Sequence, residues 1–168
     1  VGLYAADLAS NHTDVRSILV ARGGLASVTI GGPVTTTFTP TLAELMAYDS
    51  LFVWGSGSWD GNAFGDVLAS YIEAGRGVVI AVFAQRAGSV VGVEGRFGTA
   101  GYRAYVPASH NFMALSMVTP PTMPAHPIMA GVASFSGPNV GYHDGAYNPA
   151  ASLIATYTNG RPLVAAFR

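Results

Sequence analysis

Gly75-Arg-Gly-Val-Val-Ile-Ala-Val-Phe-Ala-Gln-Arg-Ala-Gly88 is the stretch on which the reading of this chain turns. The apolar run 78–84 has no polar alternation, as expected of a parallel strand covered by helices on both faces. Sheets of that kind place their chemistry just past the carboxyl end of a strand. At that place the chain offers Phe83, Ala84, Gln85 and Arg86, so neither a thiolate nor a serine hydroxyl is available for covalent catalysis.

Working outward from this run, strand and helix signals alternate. Residues 1–6 read as a first strand, and Ser10-Asn11 followed by Asp14 reads as a helix start before Val15, Ile18 and Leu19, with a stop at Gly23-Gly24. Residues 25–30 read as a second strand, 31–40 as a Thr-rich connection, and Thr41 as the cap of a short helix carrying Leu42, Leu45 and Met46. A third strand is expected over 50–54. The loop 55–61 then leads to Asn62 as a cap and to a helix with Phe64, Val67, Leu68, Tyr71 and Ile72 at helical spacing, stopped by Gly75. Strands alternating with helices imply parallel pairing through right-handed crossovers. The expected fold is therefore α/β, a three-layer, doubly wound, mostly parallel sheet of flavodoxin-like or amidotransferase-like type, in one domain over 1–168.

After Gly88 the character changes to Gly, Ser, Pro and short apolar runs. Strands are expected near 101–106 and 112–118, a Pro-rich loop over 119–127, a short strand or turn at 132–135 and a Gly-rich turn over 137–145. The apolar runs 152–158 and 162–167 flank Asn159-Gly160, which predicts a C-terminal β-hairpin. A strand at each end of the sequence reads as a piece of a longer chain.

Composition sets further bounds. A chain of 168 residues can bury a sizeable core without a disulfide or metal, and with no cysteine it has no thiol nucleophile and no zinc-thiolate or iron-sulfur site. Charged residues make up 10% of the chain, against about 25% in an average soluble domain. All eight basic residues are Arg. Two readings fit the sparse charge: a coding bias toward Ala, Gly, Val and Arg, or a surface covered by neighbours. A net charge of −1 with no basic cluster supplies no phosphate neutralisation, so nucleic acid is not an expected partner. No apolar segment reaches the roughly 18 residues needed to span a bilayer, so membrane insertion is not expected either.

Three segments carry a family likeness: Leu42-Ala-Glu-Leu-Met-Ala-Tyr-Asp-Ser-Leu-Phe-Val-Trp54, Tyr71-Ile-Glu-Ala-Gly-Arg-Gly-Val-Val-Ile80 and His126-Pro-Ile-Met-Ala-Gly131. In their order and spacing they resemble the class I glutamine-amidotransferase-like superfamily, in its trehalose-utilisation-protein-like branch. The resemblance implies a Cys in a Gly-x-Cys-x-Gly elbow after the strand, or in that branch a His at the strand end. Here Phe83-Ala-Gln-Arg86 stands at that place, so the nucleophile of a Cys-His-Glu triad is missing. His126 belongs to the His-Pro-Ile turn and is expected to play a structural role, such as satisfying a loop carbonyl.

Other chemistries find little support. His12, His110, His126 and His143 show no short metal-ligand spacing, and the adjacent pair His143-Asp144 lies in the Gly-rich stretch, where such residues serve backbone hydrogen bonds. No Ser sits in a Gly-x-Ser-x-Gly elbow, and Gly55-x-Gly57 lacks the third glycine of a dinucleotide loop. No metal and no cofactor are expected.

What remains is a crevice at the carboxyl ends of strands one, three and four, lined on this reading by Asp7, Asn11, Trp54, Trp59, Asp60, Gln85 and Arg86. A competing reading packs Trp54 under a helix, lays Trp59 over the loop, makes Asp60 a helix cap and pairs Arg86 with Asp7 or Glu94. Three functions follow. The first is a non-catalytic structural or interaction module of a larger exported or cell-surface protein, meeting other domains of its parent or copies of itself. The second is a carbohydrate or small-metabolite binding module using the crevice. The third is a hydrolase with a non-covalent mechanism, using Asp7 or Asp60 as general base.

Overall fold

The computed structural model describes the chain except Ser89, Ala100, Pro107, Ala146 and Arg168 and the side chains of Val82 and His143. The described residues pack as two compact units, Val1–Thr99 and Ala100–Arg168.

The first unit is α/β. Its strands β1 (Gly2–Ala6), β2 (Thr29–Pro33), β3 (Ser50–Gly55) and β4 (Gly77–Ile80) form one sheet in the order β2-β1-β3-β4, and every neighbouring pair is parallel. The helices are α1 (Ala9–Arg22), α2 (Leu42–Leu45) and α3 (Gly61–Glu73). Alternate strand residues point to opposite faces. Leu3, Ala5, Phe52 and Trp54 meet Val15 and Leu19 of α1 on one face, while Tyr4, Leu51 and Val53 are buried on the other.

Local chemistry explains most element boundaries. Thr41 and Glu44 close a reciprocal capping box at α2, as the Thr41 cap predicts. α3 starts at Asp60, whose carboxylate accepts the Ala63 N–H at 3.0 Å, two residues before the expected Asn62 cap. It ends as expected at Gly75, with φ +82° and paired bonds from the Gly75 N–H to the Ile72 carbonyl and from the Arg76 N–H to the Tyr71 carbonyl. α1 begins at Ala9, ahead of the predicted Ser10-Asn11 cap.

Two strands depart from expectation. β2 takes up Gly31, Gly32 and Pro33, which read as connection, and leaves out most of 25–30. Its pairing with β1 skips Gly31, because Leu3 faces Ile30 and Tyr4 faces Gly32. A Cβ at Gly31 would collide with the Tyr4 ring, so this bulge requires glycine, and Pro33 is tolerated because β2 is an edge strand. β4 ends at Ile80 rather than 84, and the chain turns through a 3₁₀ turn, Val82–Gln85. The run is not buried on both faces: β4 is the other edge, and Val79 is 61% exposed.

The second unit holds antiparallel pairs. β5 (His110–Ser116) pairs with β6 (Ser136–His143), and β7 (Ser152–Thr156) with β8 (Pro162–Ala166). The predicted hairpin is present. Gly160 takes φ +80° while Asn159 stays at negative φ, and the Gly160 N–H bonds the Tyr157 carbonyl, giving a three-residue loop. The stretch 137–145, read as a turn, supplies most of β6, whose cross-strand bonds override its glycines. Residues 101–106 contribute only a bridge from Tyr105 to Tyr147, and 132–135 no strand.

α3 approaches the segment after β4 at glycines. A Cβ at Gly65 would fall inside the Glu94 carbonyl oxygen, whereas one at Gly77 would meet nothing closer than the Ser50 Cβ at 3.8 Å. Gly65→Ala is therefore expected to lower unfolding free energy by about 1–3 kcal/mol through overpacking, and Gly77→Ala to change it far less. Urea unfolding of the two variants checks this; equal stabilities would contradict it.

Candidate functional site: a carboxylate at the reversal of strand order

From β1 the chain crosses to β2 on one side and then to β3 on the other, so the order reverses between β1 and β3. In open α/β sheets the loops leaving the strands diverge at such a point and open a crevice at the carboxyl ends. Here the crevice has a volume of about 370 Å³. Its walls are Ala6, Asp7 and Leu8 at the end of β1, residues 33–35 at the end of β2, and Ser56, Gly57 and Ser58 after β3.

Asp7 organises it. Its Oδ1 accepts the Leu8 backbone N–H (2.8 Å), the Asn11 side-chain amide (2.8 Å) and the Ser56 hydroxyl (2.7 Å), and its Oδ2 accepts the Trp54 indole N–H (2.8 Å). One carboxylate thus ties the end of β1 to the first turn of α1 and to both sides of the β3 terminus. The Ala6 carbonyl completes the junction by accepting the Ser56 N–H at 2.9 Å and the Gly57 N–H at 2.7 Å. A Cβ at Gly57 would stand 3.2 Å from that same oxygen, a tight contact that a side chain here would have to relieve by a few tenths of an ångström.

Burial alone would raise the Asp7 pKa, but the bonds from Ser56, Leu8, Trp54 and Asn11 outweigh it and hold the carboxyl below its ordinary value. Asp7 is ionised at neutral pH and is a weak proton acceptor.

Beneath this group lies His12, which the sequence reading left unassigned. It opens the buried stripe of α1 at helical spacing with Val15 and Leu19, and is 3% exposed. Its ring centroid lies 5.1 Å from that of Trp54, and its Nε2 is buried without a hydrogen-bond partner. Burial lowers its pKa, and the Asp7 charge pulls the other way without reversing the shift.

The structure brings together Asp7, Asn11 and Trp54 from the expected crevice residues and places the other four elsewhere. Trp59 is 3% exposed, donates its indole N–H to the Gly92 carbonyl at 2.9 Å and packs edge-on against Phe64. Asp60 caps α3. Gln85 is buried with its amide on the Ile80 carbonyl at 3.2 Å. Arg86 is exposed and belongs to none of the ion pairs among the described residues; Glu94 accepts the Gly88 N–H instead. Ser56, Ser58 and Thr35 went unread because a Gly-Ser-Gly-Ser loop and a Thr run give no single residue a signal. The rule that ligands meet the first residues past the central strands would have found Ser56.

The other expectations for histidine fare differently, and the Asp144 carboxylate serves side chains rather than the expected backbone groups. His126 accepts the Ile128 N–H on its Nδ1 at 3.3 Å, so its backbone partner in the His-Pro-Ile turn is an N–H rather than the expected carbonyl. The His143 side chain lies outside the described residues. Asp144 accepts the Ser109 hydroxyl at 3.2 Å and the Asn111 amide, and lies 3.8 Å from Arg161. Among the described residues no three metal-ligating side chains converge, and no helix is long and apolar enough to cross a membrane.

No known family profile and no curated protein matches the sequence. In structure the chain is similar to Cytoplasmic Protein STM1381 from Salmonella typhimurium LT2, with TM-score 0.68 and 14% identity over 98% of this chain and 81% of that one. It is also similar to Cytoplasmic Protein STM3548 from Salmonella typhimurium, with TM-score 0.65 and 14% identity over 98% and 80%. Likeness at this identity carries the fold alone. Both neighbours are named as cytoplasmic, which points away from the extracellular or surface location expected above, and that expectation does not stand.

A histidine whose folded pKa lies below its unfolded value contributes stability that is complete above the unfolded pKa and lost as pH falls. The melting temperature should therefore drop between about pH 7 and about pH 5, around the unperturbed histidine value. His12→Leu should flatten that drop. Identical pH slopes in the two proteins would contradict the placement of His12.

Proposed function

We propose that this chain is a non-catalytic binding module that holds a small polar metabolite in the crevice above Asp7. The observation that carries the reading is the Asp7 carboxylate, fixed by four donors from two segments, the start of α1 and the end of β3, at the point where the strand order reverses. Binding sites of this class are largely pre-formed, with a few fixed polar groups on an apolar wall. Pro33 and Leu8 provide such a wall, and the Ser56 and Ser58 hydroxyls the polar groups.

Under this reading the first unit is a three-layer, doubly wound domain related to the class I glutamine-amidotransferase-like superfamily with the nucleophile replaced. Gln85, near the elbow position, spends its amide on the Ile80 carbonyl, which supports a binding rather than a covalent role. The weak basicity of Asp7 and the capping role of Asp60 disfavour a hydrolase using either as general base. A sugar is one ligand that the carboxylate and hydroxyls would accommodate.

A panel of sugars and small polar metabolites, screened by amide NMR, tests the site. A binder is expected to move the Leu8, Thr35 and Gly57 amides and the Trp54 indole N–H. Asp7→Asn, with native dispersion retained, should weaken it by about tenfold, the worth of one charge-assisted hydrogen bond. Shifts that map elsewhere, or affinity unchanged in Asp7→Asn, would overturn the reading.

A second reading, an interaction module meeting copies of itself or other domains, draws on the exposed apolar Val79 of edge strand β4. It predicts a native mass above 17.3 kDa by light scattering, returning to the monomer in Val79→Arg. A monomer at all concentrations would exclude self-association through this edge.

A further inference from the structure

Asp7 is the one ionisable side chain among the crevice residues, and its charge has no counterpart. Its four donors are a backbone N–H, a carboxamide, an indole and a hydroxyl, all uncharged. The ion pairs among the described residues join Arg76 to Asp49, Arg96 to Glu73 and Arg161 to Asp144, and none includes it. The start of α1 contributes roughly half a positive charge, which offsets part of the carboxylate. His12 lies buried with an unpartnered nitrogen and is held toward its neutral form.

The two carboxylate oxygens are also unequally used. Oδ1 accepts three hydrogen bonds and Oδ2 accepts one, so Oδ2 keeps lone-pair capacity. Because the Ser56 hydroxyl donates to Asp7, its own lone pairs remain for an incoming donor. The site therefore offers acceptors and one full negative charge. No Arg stands among the crevice residues and the chain has no Lys, so an anionic ligand would meet repulsion without a compensating cation.

We propose that the crevice takes a ligand bearing a protonated primary amine, its ammonium group seated on Asp7 Oδ2 with hydroxyl oxygens of the surrounding loops as further acceptors. This inference rests on the ligand-binding reading of the crevice and narrows it to one chemical class. An ammonium supplies three donors to a site rich in acceptors and neutralises the carboxylate, whereas the hydroxyl that replaces it supplies one donor and no charge.

The test uses the whole chain and two matched pairs, glucosamine with glucose and ethanolamine with ethylene glycol, titrated by amide NMR. The expected result is that an amine moves the Leu8 and Gly57 amides and the Trp54 indole N–H with affinity at least about tenfold above its hydroxyl partner. That advantage should shrink several-fold in about 1 M salt, where the screening length is about 3 Å, and vanish in Asp7→Asn. The salt series keeps the test decisive if Asp7→Asn fails to fold. Equal binding of amine and hydroxyl partner at these resonances, or tighter binding of glucose 6-phosphate there, overturns the amine inference and leaves the site standing. If none of the compounds moves these resonances, the amine inference falls; if the wider metabolite panel also leaves them unmoved, the site reading falls with it.

Discussion

The first unit depends on one ionised carboxylate that is held entirely by neutral donors. Asp7 stands where β1 stops, and the two other segments it binds, the start of α1 and the end of β3, diverge from that point. A parallel sheet leaves the polar ends of its central strands facing outward between diverging loops, and something must satisfy them. Here the Ala6 carbonyl takes two loop N–H groups and the Asp7 carboxylate takes four donors. The arrangement is structural and at the same time exposes a fixed charge to solvent. A group that merely capped α1 would not need the Trp54 indole or the Ser56 hydroxyl.

The layer beneath explains the stiffness of that charge. Trp54 donates to Asp7 while its ring lies between His12 and Phe52, at centroid distances of 5.1 and 5.3 Å. The indole is anchored in the same apolar cluster as Leu3 and Ala5, so the acceptor above it is positioned by the core rather than by a loop. A buried imidazole with an orphaned nitrogen is costly by about 1–3 kcal/mol unless offset elsewhere. Its tilted ring contact with Trp54 and its place in the α1 stripe are the contacts that offset it.

Much of this frame was legible in the sequence. β1 and β3 were readable because they are continuous apolar runs ended by Asp7 and by Gly55, and α3 because its apolar spacing stops at Gly75, although its start was placed at Asn62 and lies at Asp60. β2 was not, because a bulge built on Gly31 and an edge Pro33 look like a turn until the Tyr4 ring is placed over them. β6 hid in the same way, since Ser136-Gly-Pro-Asn-Val-Gly carries turn residues and its strand character comes from β5. The 78–84 run misled in the other direction: hydrophobicity alone cannot distinguish a strand covered on both faces from an edge strand with an exposed valine. The cluster of Asp7 with Asn11 and Trp54 followed from position relative to the strands. Trp59 and Asp60 did not belong, because the β3–α3 loop turns Trp59 inward onto Gly92 and commits Asp60 to the helix. His12 was invisible because a histidine in a helical stripe has no motif.

The most direct test of the central claim is the pH titration of the Asp7 carboxyl carbon by NMR, followed together with the Trp54 indole N–H. The account predicts a midpoint below the ordinary aspartate value of about 3.9, with the indole resonance moving in the same step as its acceptor is protonated. A midpoint at or above that value, with the indole unmoved, would contradict it and leave the crevice without its organising charge.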